Sequence, residues 1–224
     1  MAAEIDIGLE GGRRTTAVRY TPETPRTTDA PVILAHGAGA GQRHPFIAGV
    51  ARHLAAAGIE VVTFNFPYRE ERRRVPDASA VLEQCFRRVI ACVRAGRTET
   101  AVFAGGKSMG GRIATQVAAH GEPLAGVFAL GYPLHPPGKP HQLRSAHLPA
   151  ITVPVLIVQG ERDPFGTPGE LGPVVDAMRA PVRLDVVAAG DHSLGVRGIP
   201  SEQLYGRLGA AIAEWVRTTS GWCR

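Results

Sequence analysis

The sequence predicts an α/β protein with a mostly parallel sheet. Three observations lead there. Short apolar strand-like runs alternate with Ala-rich helical stretches, and the junctions between them carry Gly, Pro, Asn or Asp. Most of the strand-like runs are also continuously apolar. A strand buried on both faces has no polar side to present, so such runs call for a sheet covered by helices on each face.

The first two strands are the exception. Residues 5–9 and 15–20 alternate apolar and polar side chains around Gly11-Gly12, which predicts an antiparallel hairpin at one edge. Buried strands follow at 32–35, 59–66, 100–104, 126–130, 153–158 and 182–187. Helices are predicted between and after them at 44–57, 77–95, 109–120, 169–178 and 201–218. No repeat, low-complexity stretch or linker divides the chain, so residues 1–224 are expected to form one domain.

Composition narrows the function classes. A hydrophobic share of 44% against 20% charged residues is enough to build a core and excludes disorder. The longest apolar runs are strand-sized, far short of the roughly 20 residues of a membrane-spanning helix, so no membrane partner is expected. Residues 1–9 carry Glu4 and Asp6 and lack the basic start and apolar core of a secretory signal, which makes the cytoplasm the expected compartment. Cys85, Cys92 and Cys223 are an odd number, and disulfides are not expected to hold the fold.

The formal net charge is +5, almost entirely from Arg, with Lys at Lys107 and Lys139 alone. The one dense basic cluster, Arg72-Arg73-Arg74, sits beside Glu70 and Glu71 without interleaved aromatics. It reads as a solvated loop, and no nucleic acid is expected.

The most informative stretch runs from Ala101 to Arg112. It holds Gly106-Lys107-Ser108-Met109-Gly110, a Gly-x-Ser-x-Gly pattern between a predicted strand and a predicted helix. A sharp strand-to-helix turn forces the serine into a strained backbone, and the flanking glycines are needed because side chains there would collide with neighbouring elements. Two other readings fail. A phosphate-binding P-loop needs a further glycine where the chain has Ala101, and the dinucleotide fingerprint needs its third glycine where Gln42 stands. The segment His36-Gly37-Ala38-Gly39 has a better use as a turn that aims a backbone N–H at a developing oxyanion. Ala38 is the candidate donor, paired with the N–H of Met109, the residue after the nucleophile.

A serine nucleophile needs a base, and the base needs an orienting carboxylate. Asp163 follows the strand 153–158 and His192 follows the strand 182–187, each just past the carboxyl end, where open α/β sheets form their sites. Asp191 adjoins His192, but consecutive side chains point apart, so Asp163 is the better orienter and Asp191 the stabiliser of its own turn. Glu161 is the weaker alternative. Of the other histidines, His135, His141 and His147 have no recognised metal-ligand spacing, and no metal is expected. Cys85 and Cys92 share a helix face and read as core.

The segments Ala35-His36-Gly37-Ala38-Gly39, Phe64-Asn65-Phe66-Pro67-Tyr68, Gly105-Gly106-Lys107-Ser108-Met109-Gly110-Gly111, Gly131-Tyr132-Pro133-Leu134-His135-Pro136-Pro137-Gly138, Gln159-Gly160-Glu161-Arg162-Asp163-Pro164-Phe165-Gly166 and Asp191-His192-Ser193 together resemble the small α/β hydrolases of the dienelactone-hydrolase-like group. The resemblance spans nearly the whole chain. It implies an α/β-hydrolase fold with a mostly parallel eight-stranded sheet, helices on both faces, and Ser108, Asp163 and His192 as catalytic triad. Dienelactone hydrolases proper use a cysteine nucleophile, so with Ser108 the chain is expected to act on other substrates.

The expected function is that of a serine hydrolase acting on carboxylic esters or related small acyl compounds through an acyl-enzyme, without a cofactor. Peptidase or acyltransferase activity would use the same triad, and the competing class is an interaction module that keeps the fold without turnover. Phe46, Phe66, Tyr68, Pro133, Leu134 and Phe165 lie near predicted strand ends and are candidates for an apolar acyl pocket. Arg69 and Arg112 are candidates to meet an anionic substrate, but the stronger reading of both is a surface or helix-capping role. The connection 132–152 is too short for a helical cap, and Pro133, Pro136, Pro137, Pro140 and Pro149 disfavour long helices within it.

Overall fold

The computed structural model describes residues 2–95 and 101–220. Thr100, placed in a strand by the sequence, and Cys223 lie outside them. Among the described residues the strands are β1 (Ala2–Gly8), β2 (Arg14–Tyr20), β3 (Val32–Ala35), β4 (Val61–Phe64), β5 (Phe103–Lys107), β6 (Gly126–Leu130), β7 (Val155–Gly160) and β8 (Val182–Val187). The helices are α1 (Pro45–Ala56), α2 (Pro67–Glu70), α3 (Ser79–Arg94), α4 (Met109–Ala119), α5 (Pro168–Asp176) and α6 (Ser201–Ser220).

The strands make a single eight-stranded sheet in the order β1-β2-β4-β3-β5-β6-β7-β8. β2 runs antiparallel to both β1 and β4, and every pair from β4 to β8 is parallel. The β1–β2 turn is a short 3₁₀ segment in which Gly11 and Gly12 take φ of +68° and +73°, the left-handed region open to glycine.

Alternation along the central strands divides the core into two layers. Ile33, Ala35, Val127, Ala129, Val155 and Ile157 face α3 and α4, while Val32, Leu34, Phe128, Leu130, Leu156 and Val158 face α1 and α6. Because both layers are apolar, the central strands read as unbroken apolar runs.

The observed boundaries differ from the predicted ones for identifiable reasons. β4 stops at Phe64, because Pro67 with its fixed φ opens the one-turn helix α2, and the Tyr68 N–H is capped by Asp77 Oδ2 at 3.0 Å. β5 continues through Gly105-Gly106-Lys107, beyond the predicted end at Ala104. A Cβ on Gly106 would stand 2.5 Å from the Ala35 carbonyl oxygen of the neighbouring strand, so glycine here serves close pairing and does not mark a turn. α5 begins at a capping box between Thr167 and Glu170 and ends two residues before the predicted Met178. Between β6 and β7 the chain forms one 3₁₀ turn, Leu148–Ala150, and no cap domain.

Candidate active site

Ser108 stands between β5 and α4 with φ 50° and ψ −115°, a strained conformation for a residue with a side chain. The turn is this tight because β5 and α4 pack directly on β3. A Cβ on Gly110 would lie 2.6 Å from the His36 carbonyl oxygen, so this position has no room for a side chain. The Ser108 N–H donates to the Leu130 carbonyl at 2.9 Å, tying the turn to the end of β6. Its hydroxyl is left projecting from the carboxyl edge of the sheet.

Loops after β7 and β8 bring two partners to the same edge. His192 Nε2 lies 2.8 Å from Ser108 Oγ, and His192 Nδ1 lies 2.8 Å from Asp163 Oδ2 and 3.0 Å from Oδ1. A carboxylate only accepts, so Nδ1 carries the ring proton and Nε2 is left as the acceptor facing the serine. The Asp163 side chain is fully buried. It also accepts the Gln159 side-chain amide on Oδ2 and the Phe165 N–H on Oδ1, each at 2.8 Å. The Phe165 ring stacks on the imidazole with centroids 4.1 Å apart. Asp191 turns the other way and accepts the Ser193 and Gly195 N–H groups, while Glu161 accepts the Ala189 N–H.

The loop after β3 is held from beneath. His36 Nε2 accepts the Phe66 N–H at 3.1 Å, so Nδ1 is the protonated nitrogen and donates to the Gly37 carbonyl at 2.8 Å. Burial lowers the His36 pKa to about 4, and the ring is neutral at ordinary pH. Tyr68 donates its hydroxyl to the Ala38 carbonyl at 2.7 Å. Ala38 and Met109 both line the cavity in front of Ser108, and Met109, as the first residue of α4, has no intrahelical acceptor for its N–H.

That cavity has a volume of about 790 Å³ and includes Ser108 and His192 in its wall. Phe46, Pro133 and Phe165 line it, as do Ile47 and Leu82 and, from the distant α6, Leu204 and Tyr205. Tyr68 and Leu134 do not, and the acyl-pocket assignment of these two is corrected. Both are fully buried in the core layer under α3 and α4, as is Phe66. The chain turns inward after β4 into α2 and after β6 at Gly131, so these side chains fall behind the cavity wall. Tyr68 meets the site through its hydroxyl, as a prop for Ala38. Arg112 lines the cavity and Arg69 does not.

Two residues close to the triad carry no sequence pattern that assigns them a role. Lys107 Nζ donates to the His192 carbonyl at 2.5 Å. Gln159 is the polar end of a buried apolar strand, a signal visible in the sequence, and its amide bonds Asp163, Gly166 and Tyr132. Beyond Phe46, the contributions of α1 and α6 to the cavity carry no local signal, since they arise from packing between segments far apart in sequence.

Five other histidines have partners: His44 caps α1, His53 meets Glu202, His120 meets Glu83, His135 lies 3.3 Å from Glu170 and His147 bonds Thr115. Among the described residues no group of His, Cys, Asp and Glu is arranged to hold a metal ion. Cys85 is buried, Cys92 is half-buried, and neither forms a disulfide. No described helix is long and apolar enough to cross a membrane.

The fold and the strained serine at its carboxyl edge define a nucleophile-elbow α/β architecture. A model of the alpha/beta hydrolase domain matches residues 28–219, and the chain belongs to that family. Solved structures share the fold at low identity. A dienelactone hydrolase from Anabaena variabilis superposes with a TM-score of 0.75 at 18% identity over 97% of this chain and 95% of that one. An α/β serine hydrolase without a lid from Xanthomonas campestris gives 0.74 at 21% identity over 96% and 94%. Est1E from Butyrivibrio proteoclasticus, with ferulic acid bound, gives 0.77 at 13% identity over 95% and 99%.

Proposed function

We propose that the protein is a serine hydrolase that cleaves carboxylic esters or related small acyl substrates through an acyl-enzyme. The observation that carries this reading is the hydrogen-bonded line from Ser108 Oγ through the His192 ring to buried Asp163, opening on a cavity. In this reading Ser108 Oγ bonds to the acyl carbon while its proton passes to His192 Nε2, and the carbonyl π electrons move onto oxygen. The Ala38 and Met109 N–H groups receive that oxyanion. Collapse re-forms the carbonyl and breaks the bond to the leaving alkoxide, which takes the proton from Nε2. Water then repeats the sequence on the acyl-enzyme, giving its proton to His192 and freeing the acid and Ser108.

Asp163 holds the imidazole in the tautomer that accepts from serine and stabilises the imidazolium. Its burial suits the task, because a carboxylate held by Gln159 and the Phe165 N–H does not need to reorganise when the ring gains charge. The short β6–β7 connection favours small soluble substrates, and the absence of a metal or cofactor requirement belongs to the same reading.

The test is kinetic. Ser108→Ala and His192→Ala are each expected to lower kcat for a p-nitrophenyl ester on the order of 10⁴-fold or more, with little further loss in the double variant, because a triad acts as a unit. Additive losses, or a Ser108→Ala variant that retains activity, would contradict the assignment.

A further inference from the structure

The reaction just described leaves Lys107 without a task, although its ammonium stands beside the triad. Nζ donates to the His192 carbonyl at 2.5 Å, a contact between the last residue of β5 and the loop after β8. Gly131, at the end of β6, makes room for it. Its φ is +65°, and a Cβ there would stand 2.7 Å from the His192 carbonyl oxygen, 2.9 Å from Lys107 Nζ and 3.6 Å from Asp163 Oδ2. The ends of β5 and β6 and the loops after β7 and β8 therefore converge on one point, and the ammonium is the group at its centre.

The charges facing the ammonium are Asp163 and Asp191, which favour its cationic form. Among the described residues no carboxylate forms an ion pair with it, and burial pulls its pKa down to about 8. The stem packs near Gly37 of the loop after β3.

From this convergence we infer that Lys107 is a positioning residue: its ammonium ties the backbone of His192 to the nucleophile's own strand and fixes the imidazole against Ser108. The inference rests on the triad reading and goes beyond it. Asp163 orients the ring from one side, and Lys107 fixes the segment from which the ring projects.

Lys107→Met keeps the length and apolar stem of the side chain and removes its charge and donors. It is expected to lower kcat for a p-nitrophenyl ester on the order of 10–100-fold, the cost of a small misplacement, with KM within about threefold of the parent. A loss confined to kcat separates positioning from a space-filling role, which the Met side chain would largely preserve. A second measurement uses the unaltered protein and does not depend on the variant folding. The chain has two lysines, Lys107 and Lys139, so lysine labelled with ¹³C at Cε gives two resonances. Phosphonylation of Ser108 by a fluorophosphonate should shift the Lys107 signal and leave that of Lys139 in place. An unchanged kcat in the variant, an effect on KM alone, or a Lys107 resonance indifferent to phosphonylation would overturn the inference. A protein that neither reacts with the reagent nor hydrolyses esters would overturn the triad reading as well, so the two failures are distinguishable.

Discussion

Gln159 donates its side-chain amide to Asp163 Oδ2 at 2.8 Å from the penultimate position of the fully buried strand β7. The same side chain accepts the Tyr132 N–H at 2.7 Å and donates to the Gly166 carbonyl at 2.7 Å, so one residue fixes the carboxylate and two loops that flank it. Gln159→Leu should therefore lower kcat and stability together. Each buried polar group left unpaired is expected to cost about 1–3 kcal/mol. Urea unfolding alongside ester kinetics checks this, and a variant as stable and active as the parent would remove Gln159 from the account.

The two aspartates near His192 separate by function. Asp163→Asn is expected to reduce kcat by about 10⁴-fold, because an amide facing Nδ1 favours the tautomer that cannot accept the serine proton. Asp191→Asn should leave most activity in place, since Asp191 serves the Ser193 and Gly195 amides of its own turn. Side-by-side kcat measurements decide the order, and the reverse ranking would exchange the roles of the two residues.

Buried His36 makes stability depend on pH. Its folded pKa of about 4 lies below the ordinary 6.5. As pH falls through that window the unfolded chain takes up a proton that the folded chain refuses, and stability is lost, by about 3 kcal/mol for the full interval. His147, also lowered to about 4 by burial, acts with the same sign. His36→Gln should be less stable at neutral pH yet lose less between pH 6.5 and 4. Thermal melts across that range provide the check, and parallel losses in parent and variant would contradict it.

Much of this was legible in the sequence because the responsible signals are local. The unbroken apolar runs of β3, β6 and β7 follow from burial on both faces, and the glycines around Ser108 follow from a crossing of strand and helix. Asp163 follows the buried strand β7 and His192 follows the half-exposed edge strand β8, whose predicted burial the structure does not show, and the carboxyl edge of the sheet collects both. What was not legible depends on where the chain turns. Tyr68 and Leu134 lie beside strand ends as Phe46 and Phe165 do, but the first pair turns into the core and the second faces the cavity, a distinction that residue type does not carry. Leu204 and Tyr205 reach the cavity because α6 packs on α1, a relationship between segments far apart in the chain. Lys107 sits at a position the elbow motif leaves free, and its role is set by the His192 loop that meets it.

The open rim sets a substrate-size prediction. The connection between β6 and β7 holds one 3₁₀ turn, so no mobile apolar cover stands over Ser108. Values of kcat/KM for p-nitrophenyl esters should be highest for short acyl chains and show no jump when dispersed lipid is added. A maximum at palmitate, or a sharp increase at the lipid interface, would show that this connection does more than border the cavity.

The central claim is that Ser108 is a nucleophile activated by His192. It is tested most directly by reacting the protein with a fluorophosphonate and locating the adduct by peptide mass spectrometry. The account predicts a single adduct on Ser108, lost in Ser108→Ala and strongly slowed in His192→Ala. No adduct, or an adduct on another residue, would contradict it and favour a fold of this family kept for interaction without turnover.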